Sequence, residues 1–192
     1  MQVKSYELGQ YVKVVDEIFS EKMLDTFYRV CKEVDFEDSL VGGGKGIVNK
    51  EIRNTLVLPL SKYQKNLTLV HWSNYFANKL NNAIVNHYLP IVPHLAINPV
   101  QDIQLLKYEE GGFYKPHVDH FNAIPRTLSI VTFINDDYQD GYFEMFSPDE
   151  KHSQKVEPKK GRTIMFPSNF LYPHKANVVK GGTRYAMVAW CL

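Results

Sequence analysis

The chain has 192 residues, 44% of them hydrophobic and 22% charged, enough apolar material for one ordinary domain to close a core without staples. Lysine plus arginine number 22 against 21 acidic residues, so the formal charge of +1 supplies no large field for steering toward polyanions, and a nucleic-acid partner is not indicated. Two cysteines, Cys31 and Cys191, lie near opposite ends in no close pair, which argues against a disulfide framework or a metal knuckle and for a reducing compartment.

The N-terminal stretch lacks the uninterrupted apolar region of a signal peptide, and no later run approaches the roughly 18 residues of a membrane span, so a cytoplasmic protein without a membrane partner is expected. Ser20 is a plausible N-cap, followed by Met23, Leu24, Phe27, Val30, Cys31 and Val34 at the spacing of an amphipathic helix. A glycine-rich stretch from Gly42 to Gly46 interrupts the pattern. It is not a phosphate loop, because Lys45 is followed by Gly46 where a serine or threonine would hold magnesium; a mobile lid over a pocket suits it better. A short strand is predicted over residues 52–58, ended by Pro59, and a second helix over about 61–88, with Leu69, Trp72, Phe76, Leu80, Ile84 and Tyr88 on one face.

From about residue 102 the period becomes that of strands, predicted near 103–108, 114–119, 127–135, 141–146, 163–166, 174–179 and 185–190, with Gly- and Asp-rich turns between them. The basic segment 151–162 reads as a solvated strand connection. The whole chain, 1–192, is then one mainly β domain: 1–100 mostly helical support, and 101–192 a sandwich or barrel packed against the helices.

His117-Val118-Asp119 closes one predicted strand, whose period of two puts His117 and Asp119 on the same face, and His174 opens a later one. Two imidazoles and a carboxylate are the facial set of non-haem Fe(II) oxygenases, which leaves coordination positions open. A His-x-Asp alone is weak evidence, because chance supplies on the order of 0.4 such pairs in this composition. Arg184 strengthens it: after His174 comes a strand, the turn Lys180-Gly181-Gly182, then Arg184 opening the last strand, so a hairpin there would return the guanidinium to the neighbourhood of His174. An arginine aimed into an apolar barrel requires an anionic partner such as a dicarboxylate. His71, His87, His94, His120 and His152 have no ligand partner at useful spacing.

The segments LLKYEEGGFYKPHVDH, RTLSIVTFIND, DGYFEMF, GRTIMFPSNFLYPH and GGTRYAMVAW together resemble the prolyl-hydroxylase branch of the Fe(II)/2-oxoglutarate oxygenase superfamily, over about residues 104–190. The resemblance implies a double-stranded β-helix, a cupin-like jelly roll, packed against N-terminal helices. It implies Fe(II) held by His117, Asp119 and His174, O2 as oxidant, 2-oxoglutarate anchored by Arg184 with Tyr108 beside it, and ascorbate as an accessory reductant. Tyr114 and Trp190 fall where the family's aromatic residues approach the substrate, and the implied partner is a polypeptide containing proline. Phe133 and Val188 depart from the oxygen-sensing members, which have tyrosine and threonine there; Ser129, on the same strand face as Phe133, is the expected substitute hydroxyl for the cosubstrate. The same chemistry on a small molecule or nucleobase, a non-catalytic cupin-like module and a hydrolytic zinc site remain alternatives, the last leaving Arg184 without a role.

Overall fold

A computed structural model describes residues 8–42, 46–62, 65–100 and 102–192. A 3-10 turn, Leu8–Tyr11, is followed by β1 (Lys13–Val15), α1 (Glu21–Glu33), β2 (Glu37–Asp38), β3 (Arg53–Asn54), β4 (Leu56–Leu58) and α2 (Leu67–Ala83), which continues into a π-helical turn at Ile84–Tyr88. The rest is strand: β5 (Asp102–Tyr108), β6 (Phe113–His117), β7 (Leu128–Phe133), β8 (Gln139–Asp140), β9 (Phe143–Phe146), β10 (Ser153–Val156), β11 (Thr163–Pro167), β12 (His174–Ala176), β13 (Val179–Lys180) and β14 (Arg184–Cys191). A seven-stranded sheet of order β1-β11-β7-β14-β5-β4-β2 faces a five-stranded sheet of order β10-β9-β12-β6-β3, all neighbours antiparallel; β8 and β13 make a separate pair. This is the expected mainly β jelly-roll core with supporting helices.

The period of two in β14 shows how the layers are made. Tyr185, Met187, Ala189 and Cys191 join the helix-side core with Leu24, Phe27 and Cys31 of α1 and Leu69, Trp72, Phe76 and Leu80 of α2. The alternate residues Arg184, Ala186, Val188 and Trp190 point between the sheets. Every residue of β14 is therefore buried, as a central strand covered on both faces must be. Phe76 is fully buried, with its ring 4.6 Å from that of Phe27 and 5.6 Å from that of Trp72. Phe76→Ala is expected to lower unfolding free energy by about 3 to 5 kcal/mol, read from urea midpoints at unchanged slope.

Several predicted boundaries shift, each for a local reason. Ser20 takes the extended N-cap backbone (ψ 145°) before α1 but its side chain makes no cap hydrogen bond. Helix α2 starts at Leu67 and not near Ser61, because the Asn66 side chain accepts from the N–H groups of Thr68 and Leu69, while Ser61 sits in its own 3-10 turn, Leu60–Lys62. The strand predicted over 52–58 divides at Thr55: β3 pairs with β6 in the small sheet and β4 with β5 in the large one. The N-terminal half thus supplies β1 to β4 to the sheets as well as its helices, and β10 lies inside the predicted basic connection. Gly111 (φ +80°) and Gly112 carry the chain from β5 to β6; a Cβ on Gly112 would lie 2.8 Å from the Glu109 carbonyl oxygen, so that turn admits only glycine.

Candidate active site

A cavity of about 400 Å³ opens between the two sheets, and His117, Asp119 and His174 meet in its wall. Pairing of β6 with β12 sets His117 opposite His174. Asp119 lies two residues beyond the end of β6, not within a strand as predicted, and is held there by its N–H donating to the Ser168 carbonyl at 3.2 Å. One potential ligand atom from each residue lies within 4.8 Å of the others, a separation a single ion can bridge. Among the described residues this is the one such group of three or more.

Both imidazoles are oriented for ligation. His117 Nδ1 lies 2.8 Å from the Lys115 carbonyl oxygen and His174 Nδ1 lies 3.1 Å from that of Tyr172. A carbonyl only accepts, so each Nδ1 carries the proton and each Nε2 presents a lone pair toward Asp119, at 3.7 Å from Oδ1 and 3.6 Å from Oδ2 respectively. Burial, and then the neighbouring His174, pull His117 down to about 3, so its ring stays neutral. Burial by itself would raise the Asp119 carboxyl, but His174 and His117, with hydrogen bonds from Trp190 and Ser129, outweigh it and hold it down to about 2.

Those hydrogen bonds correct one expectation and enlarge another. Ser129, expected beside the cosubstrate, does not line the cavity; its Oγ donates to Asp119 Oδ2 at 2.7 Å and meets Ser168 Oγ at 2.8 Å. Trp190 does line the cavity, and its Nε1 also donates to Asp119 Oδ2, at 3.0 Å. The two act together because Ser129 and Trp190 are partners in the β7–β14 register. Oδ2 takes both bonds, and Oδ1 has none among the described residues, which leaves it open to an ion. Ser129→Ala and Trp190→Phe are each expected to weaken metal affinity by about 10- to 100-fold with the fold intact, measured by competition with a chelator.

Arg184 lies elsewhere in the same cavity and is 1% exposed. It is opposite Tyr108 in the β5–β14 register, with its guanidinium 4.8 Å from the Tyr108 ring centroid and 5.0 Å from that of Phe133. Among the described residues its side chain makes one hydrogen bond, from Nη1 to the Gly141 carbonyl at 3.0 Å, and its Nε is buried without a partner. The hairpin expected to bring it back to His174 does not form: β12 belongs to the small sheet, β13 pairs with β8, and β14 crosses into the large sheet. Arg184 and His174 reach the cavity from opposite sheets. A buried permanent cation without a carboxylate is costly, so the site has the donor set for both a metal and an anion.

Tyr114 stacks on His117 with centroids 3.5 Å apart and lines the cavity with Tyr108. Gly42 and Gly46 also line it, while Gly43, Gly44 and Lys45 of the expected lid lie outside the described residues. Two arginines that the sequence did not single out, Arg53 and Arg126, line it too; isolated basic residues in a loop and a short strand carry no spacing signal. His120 is exposed, with Nδ1 2.9 Å from the Arg126 carbonyl oxygen, and stays out of the cluster.

Two imidazoles and a carboxylate meeting in one cavity are the donor set that non-haem iron oxygenases use. Residues 103–192 match the model of the 2OG-Fe(II) oxygenase superfamily. A PKHD-type hydroxylase of Picosynechococcus sp. is 33% identical over 101 residues, covering 50% of this chain and 44% of the relative. The chain spans about half the length of the curated relatives it matches. The fold is that of a Trichoplax adhaerens prolyl hydroxylase solved with a hypoxia inducible factor peptide fragment (TM-score 0.78, 14% identity, 95% of this chain and 84% of the other). It is also that of a Pseudomonas putida prolyl-4-hydroxylase (TM-score 0.70, 20% identity, 94% and 91%).

Proposed function

We propose that this protein is an Fe(II)- and 2-oxoglutarate-dependent hydroxylase acting on proline within a polypeptide. The observation that carries the cosubstrate is Arg184, a fully buried cation with unspent donors in the same cavity as the His-Asp-His set. Iron, when bound, supplies the activation of O2, and the overall balance is substrate C–H, O2 and 2-oxoglutarate giving C–OH, succinate and carbon dioxide. The chain's own work is positional. His117 and His174 present Nε2, Asp119 presents Oδ1, and Ser129 and Trp190 fix that carboxylate. Arg184 receives the far carboxylate of 2-oxoglutarate, with Tyr108 against its guanidinium. Tyr114 and the Trp190 face make aromatic walls suited to a compact apolar ring already fixed in φ.

The proline reading draws on the relatives, whose names are those of PKHD-type and prolyl hydroxylases. Both cysteines are buried and unpaired, which supports a reducing compartment, the cytoplasm in this reading. Among the described residues no helix is long and apolar enough to cross a membrane. The test is incubation of the chain with Fe(II), ascorbate, 2-oxoglutarate and proline-containing peptides, with succinate assay and mass spectrometry. A gain of one oxygen on proline is the expected result. Turnover confined to a nucleobase, a lipid or a free small molecule rejects the substrate, and absence of 2-oxoglutarate binding rejects the class.

A further inference from the structure

Beyond the groups already assigned, Arg53, Arg126 and the exposed Lys62 line the cavity, and the two arginines lie nearest the ligand set. Arg53, on β3, lies over the Tyr114 ring at 4.7 Å, and Arg126, in the segment before β7, lies over the Trp190 ring at 3.5 Å. Both rings touch the metal-binding set, Tyr114 stacking on His117 and Trp190 donating to Asp119. The guanidiniums therefore flank the reaction centre, each one ring removed from a ligand. Unlike Arg184 they are not fully buried, the Arg126 side chain being 12% exposed, and both line the cavity.

Among the described residues Arg53 has no carboxylate partner, and Arg126 has one long ion pair. The Arg53 side chain donates one long hydrogen bond, Nη1 to the Leu40 carbonyl at 3.3 Å, and forms no ion pair among the described residues. The Arg126 side chain makes no hydrogen bond among them; its ionic neighbour is Asp102 Oδ2 at 3.5 Å, which already accepts from Gln104 Nε2 at 3.2 Å. Both Nε atoms are buried without a partner. Glu37 and Asp38 also line the cavity but pair with neither arginine, and Asp38 is taken by Lys50 at 3.2 Å. Burial disfavours the charge on Arg126, Asp119 and Asp102 partly offset that, and Arg53 adds a smaller like-charge repulsion. Two partly buried forks lining one cavity, each lying over an aromatic ring, are a cradle for a carboxylate.

We propose that Arg53 and Arg126 form a second carboxylate site, so that the substrate presents an acidic group beside the carbon that is hydroxylated. This rests on the hydroxylase reading above and narrows its substrate class. The carboxylate comes either from an aspartate or glutamate flanking the target residue of a polypeptide or from the α-carboxylate of a free proline-type acid.

The test measures binding on the whole chain loaded with Mn(II) and 2-oxoglutarate. The probes are fluorescein-labelled peptides with proline between two glutamates, their twins with glutamine, and unlabelled N-acetylproline against N-acetylprolinamide as competitors. The acid member of at least one pair is expected to bind about tenfold or more tightly than its amide twin. That preference is expected to shrink toward unity in Arg53→Gln and Arg126→Gln, with 2-oxoglutarate affinity by calorimetry unchanged. A preference shown by the peptides assigns the acid to a flanking side chain, and one confined to N-acetylproline assigns it to a free α-carboxylate. Equal binding of acid and amide in both pairs overturns the proposal without any variant, and a preference that survives both substitutions overturns the assignment to these arginines. Failure of 2-oxoglutarate itself to bind is a separate readout, which sinks the hydroxylase reading while the acid-over-amide comparison still decides the site.

Discussion

Asp119→Ala is expected to lose more than about 100-fold in divalent-metal affinity and all measurable turnover, because it removes a ligand where changes in the surrounding hydrogen bonds alone typically cost 10- to 100-fold. Metal content after dialysis and succinate release are the two readouts. The substitution also strands two buried donors, Ser129 Oγ and Trp190 Nε1, whose shared acceptor disappears. Each orphaned group costs about 1 to 3 kcal/mol, so the alanine variant should also be less stable, and a melting curve must accompany the metal assay. Asp119→Asn separates the two effects. An amide oxygen still accepts from Ser129 and Trp190 and keeps the local geometry, but it has no charge for the metal, so stability should return while metal affinity does not. Unchanged metal stoichiometry across His117→Ala, Asp119→Ala and His174→Ala would falsify the ligand assignment.

Arg184→Ala is expected to weaken 2-oxoglutarate by a factor of several hundred or more, the equivalent of the about 3 to 5 kcal/mol typical when one member of a buried charge pair is removed. Isothermal titration in the presence of Mn(II) measures it, and equal affinity in wild type and variant would place the anchor elsewhere. Stability should move the other way. Without ligand, Arg184 is a desolvated cation held by one carbonyl and two ring faces, so Arg184→Met, which keeps the stem and removes the charge, should leave the free protein as stable or more stable. A residue that weakens the empty fold and tightens a ligand is one the fold keeps for binding. Arg184→Lys should recover part of the affinity, since the ammonium restores the charge without the bidentate fork.

Much of this protein was legible in the sequence because its signals are periodic or chemically unusual. The shift from helical to strand spacing near residue 102 separates α2 from the jelly roll, and the alternation in β14 already puts Arg184, Ala186, Val188 and Trp190 on one face. His117, Asp119 and His174 were legible as a ligand set only in the company of Arg184, a permanent charge among apolar neighbours. What the sequence could not express is which sheet each segment joins. The run over residues 52–58 reads as one strand, yet it serves two sheets, because β3 pairs with β6 and β4 with β5, strands 47 to 61 residues further along the chain. Ser129 illustrates the same limit at the site. Its strand face was read correctly, but whether its hydroxyl reaches a cosubstrate or Asp119 depends on the β7–β14 register and on where the chain turns after β6. Arg53 and Arg126 had no local signal at all. They acquire meaning only when β3 is laid beside β6 and the segment before β7 is folded over Trp190, which sets both guanidiniums against the rings of the site. Periodicity and residue chemistry are properties of neighbours along the chain and fix the elements and the ligand set; pairing between distant strands is a property of the folded whole, and it alone decided which side chains share the cavity.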